Sequence, residues 1–440
     1  MIKNELKFDI KSASTLFHRA SIIASYQNVN ESRINRKFDS DTRGIRKENV
    51  QVIGINMDMV RELDSAKVFY YGFEVSHNIA SSDAKTENIF SGLEGNLNSR
   101  YPNGGSNYTS FGAYISYKHK FSHKVLLNTG LRYSHIIASS KFKNDGFIAL
   151  PYDEIKFNKG AVSGNIGLFI RPKNGLDIKV SVSSGFRAPN IDDYGKVFEK
   201  NGFVVVPNDQ LKPEYVLNGD VGIVKRFGWK KLVLEGSVFY THLFDAIVRE
   251  DAMLNGQDSI LYDGEMGKIQ TNRNASQAFV TGFNLKFDWM IAKNFHFNGT
   301  FNYTKGINLE DDSPLAHIPP MFGNLEFGFE KDRFQANLNW RFNAKKRIED
   351  YNLIEGIDNV EQTPYNALTD SYYGTPKWST LGINSNYKLN PARVQLIRKR
   401  LKESKNRKKI IAKEFNISLE HLKKIEKGEM WGWVEELKKT

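Results

Sequence analysis

The sequence predicts an all-β fold, an antiparallel transmembrane-type β-barrel, followed by a small all-α tail at the carboxyl end. Three observations support this class. Apolar and polar residues alternate with a period of two through most of residues 3–388. Alternating stretches such as 230–247 and 270–291 exceed the usual length of a soluble sandwich strand, about 5 to 6 residues. The connections also alternate between short turns and long polar loops.

One segment shows the alternation clearly. Its apolar or small positions are Phe295, Phe297, Gly299, Phe301 and Tyr303, and its polar positions are His296, Asn298, Thr300 and Asn302. A soluble β-sandwich would alternate in the same way, so the period alone leaves both architectures open. Aromatic residues near strand ends, as in the interfacial girdles of membrane barrels, favour the barrel.

The connections follow a strict rotation. Short turns are predicted at 11–14, 61–65, 122–123, 172–174, 228–229, 293 and 331–332, and long loops at 30–46, 79–109, 138–160, 188–214, 249–268, 306–321 and 345–376. Outer-membrane barrels have tight periplasmic turns and extended extracellular loops. The rotation gives about fifteen strands, from 3–10 to 377–389. Bacterial single-chain barrels close with an even number, so we expect an incomplete barrel.

Composition excludes several other classes. No run approaches the roughly 20 apolar residues of a spanning helix. The chain has no cysteine, which rules out disulfides and thiol chemistry. Its nine histidines show no paired metal spacing, and no catalytic Ser-His-Asp order or phosphate-binding glycine loop is present. The acidic run 310–312 is interpreted as solvated. The sequence therefore predicts no enzyme, no metal site and no cofactor.

The tail from Pro391 differs in charge and period. Residues 391–440 contain 15 Lys and Arg against 7 Asp and Glu, and the period changes to about 3.6. Three helices are predicted around Val394, Ile397 and Leu401, around Ile410, Ile411 and Phe415, and around Leu419, Leu422 and Ile425. Ser418 is placed to cap the third helix and Gly428 to end it, with a tight turn at Asn416 before it.

The tail resembles the helix-turn-helix modules of phage and mobile-element nucleases and of resolvase-like proteins. The resemblance implies that residues 419–427 form a recognition helix with Glu420 and the possible DNA contacts on its exposed side. Those candidate contacts are His421, Lys423, Lys424 and Lys427. A basic three-helix segment without DNA affinity would share the pattern. Glu420 departs from the expectation, because a carboxylate near the start of a reading helix repels phosphate.

Two boxes about twenty residues apart are the most specific motifs of the chain. GFRAPN occupies residues 185–190 and NDQLKPE occupies 208–214, and YGTPKW follows at 373–378. Together they resemble the signature of TonB-dependent outer-membrane receptors. The resemblance covers about residues 1–389. It implies uptake of siderophores, haem, cobalamin or glycans, driven by the proton-motive force through TonB.

The resemblance also implies site residues. The motif positions are Phe186, Arg187, Ala188, Pro189, Asn190, Asn208, Leu211, Pro213 and Glu214. They either contact ligand or hold the loop, with Arg187 and Glu214 as a charge-assisted pair, and we favour the structural role. RYPNGGSNYTSFGAYISY at 100–117 makes the chain similar to the haem, haemoglobin and transferrin receptors. Such haem receptors place a histidine between the boxes. Here 191–207 contains none, which leaves Tyr194 as the candidate ligand contact.

The expected organisation is a receptor barrel at 1–389 and a basic tail at 390–440. The plug, the TonB box and several strands of the family have no counterpart, and MIKNELKFDIK does not form a signal peptide. We therefore expect an outer-membrane receptor if a missing signal peptide is supplied, with outer-membrane lipid and a siderophore, haem or other nutrient as partners. TonB is a partner only if a plug is supplied. The alternatives are a DNA-binding protein acting through the tail and a fusion product without transport activity.

Overall fold

The computed structural model describes residues 1–12, 14–143, 150–200, 202–228, 231–262, 264–274, 277–352, 365–366, 371–372, 374–387, 391–403, 408–415 and 417–427. Predictions at Tyr373, Asn416, Gly428 and the boundary at 389–390 lie outside these residues. The chain divides into two compact units. The first comprises Met1–Phe287, Thr300–Gly323 and Phe342–Ser379, and the second comprises Asp288–Gly299, Asn324–Arg341 and Thr380–Thr440.

The fold is dominated by one antiparallel sheet. Its strands are β1 (Ile2–Lys11), β2 (Arg19–Asn35), β3 (Thr42–Glu62), β4 (Lys67–Asn88), β5 (Glu94–Asn96), β6 (Ser106–Lys120), β7 (Val125–Lys141), β8 (Glu154–Lys173), β9 (Leu176–Arg187), β12 (Glu214–Phe227), β13 (Leu232–Phe244), β17 (Gln277–Ala292), β18 (Phe295–Asn308), β19 (Phe322–Lys331), β20 (Phe334–Asn343) and β23 (Trp378–Tyr387).

The remaining strands lie within the long loops. They are β10 (Phe198–Lys200), β11 (Phe203–Val206), β14 (Ile247–Asp251), β15 (Ser259–Tyr262), β16 (Glu265–Asn274), β21 (Tyr365–Asn366) and β22 (Ser371–Tyr372). The helices are α1 (Ile191–Tyr194), α2 (Pro391–Glu403), α3 (Lys408–Glu414) and α4 (Leu419–Lys427), and Ile348–Asp350 form a 3-10 turn. Among the described residues no helix is long and apolar enough to cross a membrane, a statement that concerns helices alone.

The predicted all-β class is confirmed. The main sheet follows the order β1-β2-β3-β4-β6-β7-β8-β9-β12-β13-β17-β18-β19-β20-β23, and the short β5 pairs with β4 off this path. The path therefore has the predicted fifteen strands. Within the described residues it runs from β1 to β23 without closing on itself.

The two faces of the sheet in the first unit differ in chemistry. One row across β8, β9, β12 and β13 is Asn165, Ser183, Asn218 and Thr241, and the Thr241 hydroxyl donates to Asn218 Oδ1 at 2.7 Å. The opposite face exposes Leu131, Ile166, Val182, Leu217 and Val221. Because neighbouring residues of a strand point to opposite faces, the alternation in sequence yields one polar and one apolar surface. An exposed apolar belt of this kind is what a barrel presents to lipid.

Several sequence-based boundaries were wrong. Strands β2 and β3 continue almost to the tip of their hairpin, so the predicted loop at 30–46 shrinks to 36–41. The predicted strand 270–291 is two strands, β16 and β17, and the predicted strand 230–247 ends at Phe244 in β13. The reason is that alternation of apolar and polar residues predicts a strand but does not indicate which sheet the strand belongs to. Strand β16 pairs with loop strands, whereas β17 belongs to the main sheet.

A second sheet is built from two of the long loops. Its order is β10-β11-β16-β14, with β15 paired to β16, and β11 runs parallel to β16 from Phe203↔Lys268 to Val206↔Thr271. One apolar cluster beside this sheet is formed by the buried residues Val204, Val206, Leu254, Tyr262 and Ile269. The loop at 188–214 and the loop at 249–268 are therefore folded together, which their polar composition did not predict.

The tail in the second unit is a three-helix arrangement around one apolar cluster. Its buried residues are Val394, Ile397, Leu401, Ile411, Ala412, Phe415, Leu422 and Ile425. The backbone N–H of His421 donates to Ser418 Oγ at 3.1 Å, so the predicted cap of α4 is confirmed. Ile410, which helped to predict the second helix, lies in α3 as expected but is 60% exposed. On the short α3 the buried positions are Ile411 and Ala412 instead.

Candidate functional site

The first box ends strand β9 and starts helix α1. Phe186 packs against the cluster around Tyr194, and its ring lies 5.5 Å from the ring of Tyr215. Ala188 and Pro189 are buried. The Asn190 side chain accepts hydrogen bonds from the backbone N–H groups of Asp192 and Asp193, at 2.8 and 3.2 Å. Asn190 thus satisfies donors that a helix start leaves free, which fixes where the chain turns out of the strand.

Arg187 joins the two boxes. Its Nη1 lies 2.7 Å from Asp193 Oδ2, and its Nε donates to Glu214 Oε2. The second oxygen of Glu214 accepts from the backbone N–H of Ile247 at 2.7 Å. The two carboxylate side chains are only 16% and 15% exposed, whereas Arg187 is 46% exposed. The predicted Arg187–Glu214 pair is therefore present, and a second carboxylate shares the guanidinium.

The charges of this cluster depend on each other. Burial would lower the pKa of the Arg187 guanidinium, but its hydrogen bond to Glu214 and the negative charges of Asp193 and Glu214 outweigh it and raise that pKa. A planar guanidinium with several donors is suited to bind two carboxylates at once. The cluster therefore holds the start of the loop, its helix and its end at one point.

The second box is fixed by two buried apolar side chains and by hydrogen bonds of the Asn208 side chain. Leu211 and Pro213 are buried, and Leu211 belongs to the same cluster as Ala188 and Tyr194. Asn208 donates from Nδ2 to the carbonyl of Asn272 at 2.8 Å, and its Oδ1 accepts from the backbone N–H of Gln210 at 2.9 Å. The structure thus brings the predicted motif residues of both boxes into one framework. Contact between them and a ligand stays a prediction.

Two residues of this framework were missed in the sequence. Asn272 donates from Nδ2 to the carbonyl of Asp193 at 2.8 Å, beside helix α1. Asn274 donates to the carbonyls of Lys212 and Asp245, at 2.9 and 2.6 Å, and accepts from the N–H of Lys212 at 2.7 Å. The available signal was the pair of amides two residues apart in QTNRN, which places both on one side of strand β16.

The framework packs on the polar face of the main sheet. Tyr194, Ala188 and Leu211 form a buried cluster with Ile136, Ala138, Ile155 and Phe157 of β7 and β8. Alternate residues of a strand share a face, and directly paired residues of neighbouring strands share it too. Gly130 pairs with Asn165, so the even-numbered residues of β7 and the odd-numbered residues of β8 lie on the face of Asn165. These four residues belong to that set. The loop from 188 to 213 therefore folds onto the face opposite the exposed apolar belt.

The structure does not support the predicted ligand contact of Tyr194. This residue is 2% exposed, and its hydroxyl lies 3.1 Å from Ser140 Oγ, which donates on to Ser106 Oγ at 2.8 Å. Burial raises the pKa of the phenol, although the hydrogen bond to Ser140 opposes the shift. A metal in a bound haem cannot reach a neutral phenol that is enclosed in this way. Tyr194 is a core residue of the loop.

The space beside helix α1 is small. A cavity of about 50 Å³ lies among residues that include Tyr101, Phe142, Leu150 and Tyr152. The Tyr101 hydroxyl donates to Asp192 Oδ1 at 3.1 Å, and burial together with that carboxylate raises the pKa of Tyr101 to about 12. Pockets for organic ligands usually measure roughly 300 to 1,000 Å³. The cavity accommodates water, and a nutrient ligand requires a different surface or a moved loop.

The candidate nucleic-acid face of the tail is partly as predicted. Lys423, Lys424 and Lys427 are exposed on α4, whereas His421 is half-buried with its Nε2 atom enclosed. The expectation that His421 lies on the exposed side was therefore wrong, because its ring is partly enclosed. Glu420 lies 3.0 Å from Lys424, and this lysine lowers the pKa of the carboxyl. Glu420 is thus negative at neutral pH beside the proposed contacts.

Metal ligation has no support in the geometry of the described parts of the chain. Within them no group of three His, Cys, Asp or Glu side chains is arranged to hold a metal ion. His296 lies 3.5 Å from Glu326, and the Tyr240 and His242 side chains contact each other at 3.4 Å. Each of these two histidines therefore has a side-chain neighbour within the sheet.

The long antiparallel sheet and its two chemically distinct faces are those of the wall of a transmembrane-type β-barrel. A family model described as TonB dependent receptor-like, beta-barrel matches residues 4–401. The chain belongs to this family of TonB-dependent receptor barrels. The family assignment inferred from the two boxes is therefore confirmed, while nothing in the comparisons bears on the helix-turn-helix resemblance of the tail.

Known proteins with detectable similarity are much longer. The chain is 24% identical over 242 residues to the probable hemoglobin and hemoglobin-haptoglobin-binding protein 4 of Haemophilus influenzae, covering 51% of this chain and 23% of that protein. It is 26% identical over 219 residues to hemoglobin-binding protein A of Haemophilus influenzae, covering 46% and 21%. The chain thus spans less than a quarter of the length of these curated relatives.

Solved structures agree on the fold. The structure of copper transporter OprC superposes with a TM-score of 0.71 at 14% identity, covering 88% of this chain and 57% of the other. At this identity the superposition establishes the architecture alone. The described sheet therefore shares its fold with that structure.

Proposed function

We propose that the chain forms wall strands and two extracellular loops of an outer-membrane receptor that takes up haem or another iron-containing nutrient with the help of TonB. The observation that carries the proposal is the loop of the two boxes, which the Arg187 cluster fixes on the polar face of the sheet. A loop on that face borders the side along which a polar substrate passes, whereas the other face meets lipid. The haemoglobin-binding relatives favour haem as the nutrient.

The first test is membrane insertion. Expressed behind a secretory signal peptide, the chain should be recovered in the outer-membrane fraction and should migrate differently on gels before and after boiling. The reason is that a folded barrel wall hides its hydrogen-bonded strands from detergent until it is heated. A matched chain with Val182 and Leu217 of the exposed belt replaced by Lys should lose the heat-modifiable band, since lipid-facing lysines cost about 2–4 kcal/mol each at the midplane. Soluble recovery of the unaltered chain would contradict the proposal.

A second candidate function rests on the tail. We propose that α4 binds duplex DNA through Lys423, Lys424 and Lys427, because the three are exposed on one helix of a small basic unit. The opposing observation is the ionised Glu420 beside them. Each lysine that neutralises a phosphate releases counterions, so binding of this kind depends steeply on salt.

Fluorescence anisotropy of the full chain in detergent, with a labelled duplex at several salt concentrations, measures this dependence. Replacing Lys423 and Lys424 by Gln should reduce the slope of log affinity against log salt by about two, one for each lost phosphate contact. Replacing the exposed Lys156 of β8 by Gln provides the matched control and should leave the slope unchanged. Affinity without salt dependence, or no affinity, would remove DNA from the functions of the chain.

A further inference from the structure

Asn274 is the point where two long loops meet. We call the loops 188–213 and 245–274 together the two-loop cap. The side chain of Asn274 makes three hydrogen bonds to backbone groups, two with Lys212 and one with Asp245, at 2.9, 2.7 and 2.6 Å. Lys212 lies at the end of the first loop, and Asp245 lies at the start of the second. One amide therefore joins the exit of one loop to the entry of the other.

Further bonds continue this junction along strand β16. Thr271 donates from its hydroxyl to the carbonyl of Val206 at 3.0 Å, and Asn272 donates to the carbonyl of Asp193 at 2.8 Å. Strand β11 of the first loop pairs in parallel with β16 of the second. The cap consequently has a shared sheet and shared apolar residues, including Val204 of the first loop and Ile269 of the second. Its parts are arranged to move together.

The amide of Asn274 has a chemistry that close substitutes lack. An asparagine side chain offers two N–H donors and a carbonyl acceptor, and all three capacities are used here. An ionised aspartate of nearly the same shape accepts but does not donate. It would face the carbonyls of Lys212 and Asp245 with a negative charge and leave both without the donor that Asn274 supplies.

We propose that Asn274 is a positioning residue that holds the two extracellular loops together, so that they move as one body. The inference rests on the proposed receptor function and deepens it, because it assigns the movement of both loops beside the polar face to one body. In the receptor, a ligand that displaces one loop would displace the other. The purified chain allows this coupling to be measured without transport, so its failure is distinguishable from failure of the proposed uptake.

The experiment measures the distance between the loops in the full chain in detergent micelles. The chain has no cysteine, so Asp209→Cys and Asp258→Cys provide two unique sites for spin labels on exposed positions of the two loops. Electron–electron double resonance should give one narrow distance distribution at pH 7. In Asn274→Asp, the width of that distribution should increase about twofold or more at pH 7, since the carboxylate cannot donate.

Acid provides the specific readout. Near pH 3, below the ordinary carboxyl pKa of about 3.9, the aspartic acid of Asn274→Asp regains one O–H donor, and the distribution should narrow again. Other charged groups on the elements that meet here are Arg187, Asp193, Lys212, Glu214, Asp245 and Arg273. The unsubstituted chain contains the same charged groups, and they titrate there too. Its distance distribution should stay narrow at both pH values, so the comparison controls for their titration.

Asn107→Asp is the matched control, since Asn107 is exposed on β6 outside the cap. Its distribution should be narrow at both pH values. A narrow distribution for Asn274→Asp at pH 7 would overturn the positioning role of Asn274, and so would a broad distribution that persists at pH 3 while the unsubstituted chain stays narrow. If the substitution only disturbed the local structure, the broadening of the distance distribution would not reverse when the pH is lowered.

Discussion

In Arg187→Ala, the free energy of opening of the loop 188–213 should be about 3 kcal/mol smaller, so the loop opens more often. The change removes the only cation that contacts both Asp193 and Glu214 among the described side chains, and it leaves two carboxylates that are 16% and 15% exposed. Buried charges without a counter-charge are costly, whereas the lost guanidinium was 46% exposed. The penalty therefore comes from the groups that remain.

Hydrogen exchange of the full chain in detergent gives the measurement. Protection of the Tyr194 amide, which donates to the Asn190 carbonyl at 3.1 Å, and of the Ile247 amide should fall by about a hundredfold, since every 1.4 kcal/mol is a factor of ten. Arg187→Lys should recover part of the loss, because a lysine restores the charge without the planar pair of donors.

Arg347→Ala is the matched control for this substitution. Arg347 and its partner Glu349 are 70% and 62% exposed and lie 3.5 Å apart. Exposed ion pairs contribute about 0–1 kcal/mol, so loop protection should change little. Equal effects of the two substitutions, or no effect of Arg187→Ala, would show that the boxes are held by their apolar contacts rather than by the charge cluster.

The sequence predicted the sheet better than the loops because the two obey different rules. In strands such as β18, each side chain faces lipid or a polar surface, and this alternation is written in consecutive residues. In the loops, β11 pairs with β16 across more than sixty residues, and no local pattern specifies such a partner. Strand β16 alternates like a wall strand, which explains why it was joined to β17.

The candidate site was predicted in outline for a similar reason. Arg187 and Glu214 face each other directly in the register of β9 and β12, so their pairing follows from antiparallel strands joined by a loop. The roles of Asn272 and Asn274 depend on tertiary contacts to backbone carbonyls, which leave only the weak signal of two polar residues in a strand. Tyr194 was misread because a tyrosine between two motifs gives no indication of its burial.

Replacing Ile397 by Ala should destabilise the tail by about 3 kcal/mol, within the 2–5 kcal/mol range for such substitutions in a core. Ile397 has no exposed surface, and it belongs to the cluster that joins α2 to α3 and α4. The arrangement is small, so its total stability is low and the loss of one large side chain should open most of it. Hydrogen exchange should show a fall of about a hundredfold in the protection of the Phe415 and Leu422 amides.

Ile410→Ala separates packing from helix propensity, because it makes the same chemical change at a site on α3 that is 60% exposed. Burial is lost only at Ile397, and alanine favours a helix slightly more than isoleucine at both sites. Ile410→Ala should therefore leave protection unchanged or raise it slightly. If both substitutions reduced protection equally, the tail would be held by something other than the cluster around Ile397. A large loss confined to Ile397→Ala would establish the tail as a cooperatively packed unit, which positions α4 for any partner that its lysines bind.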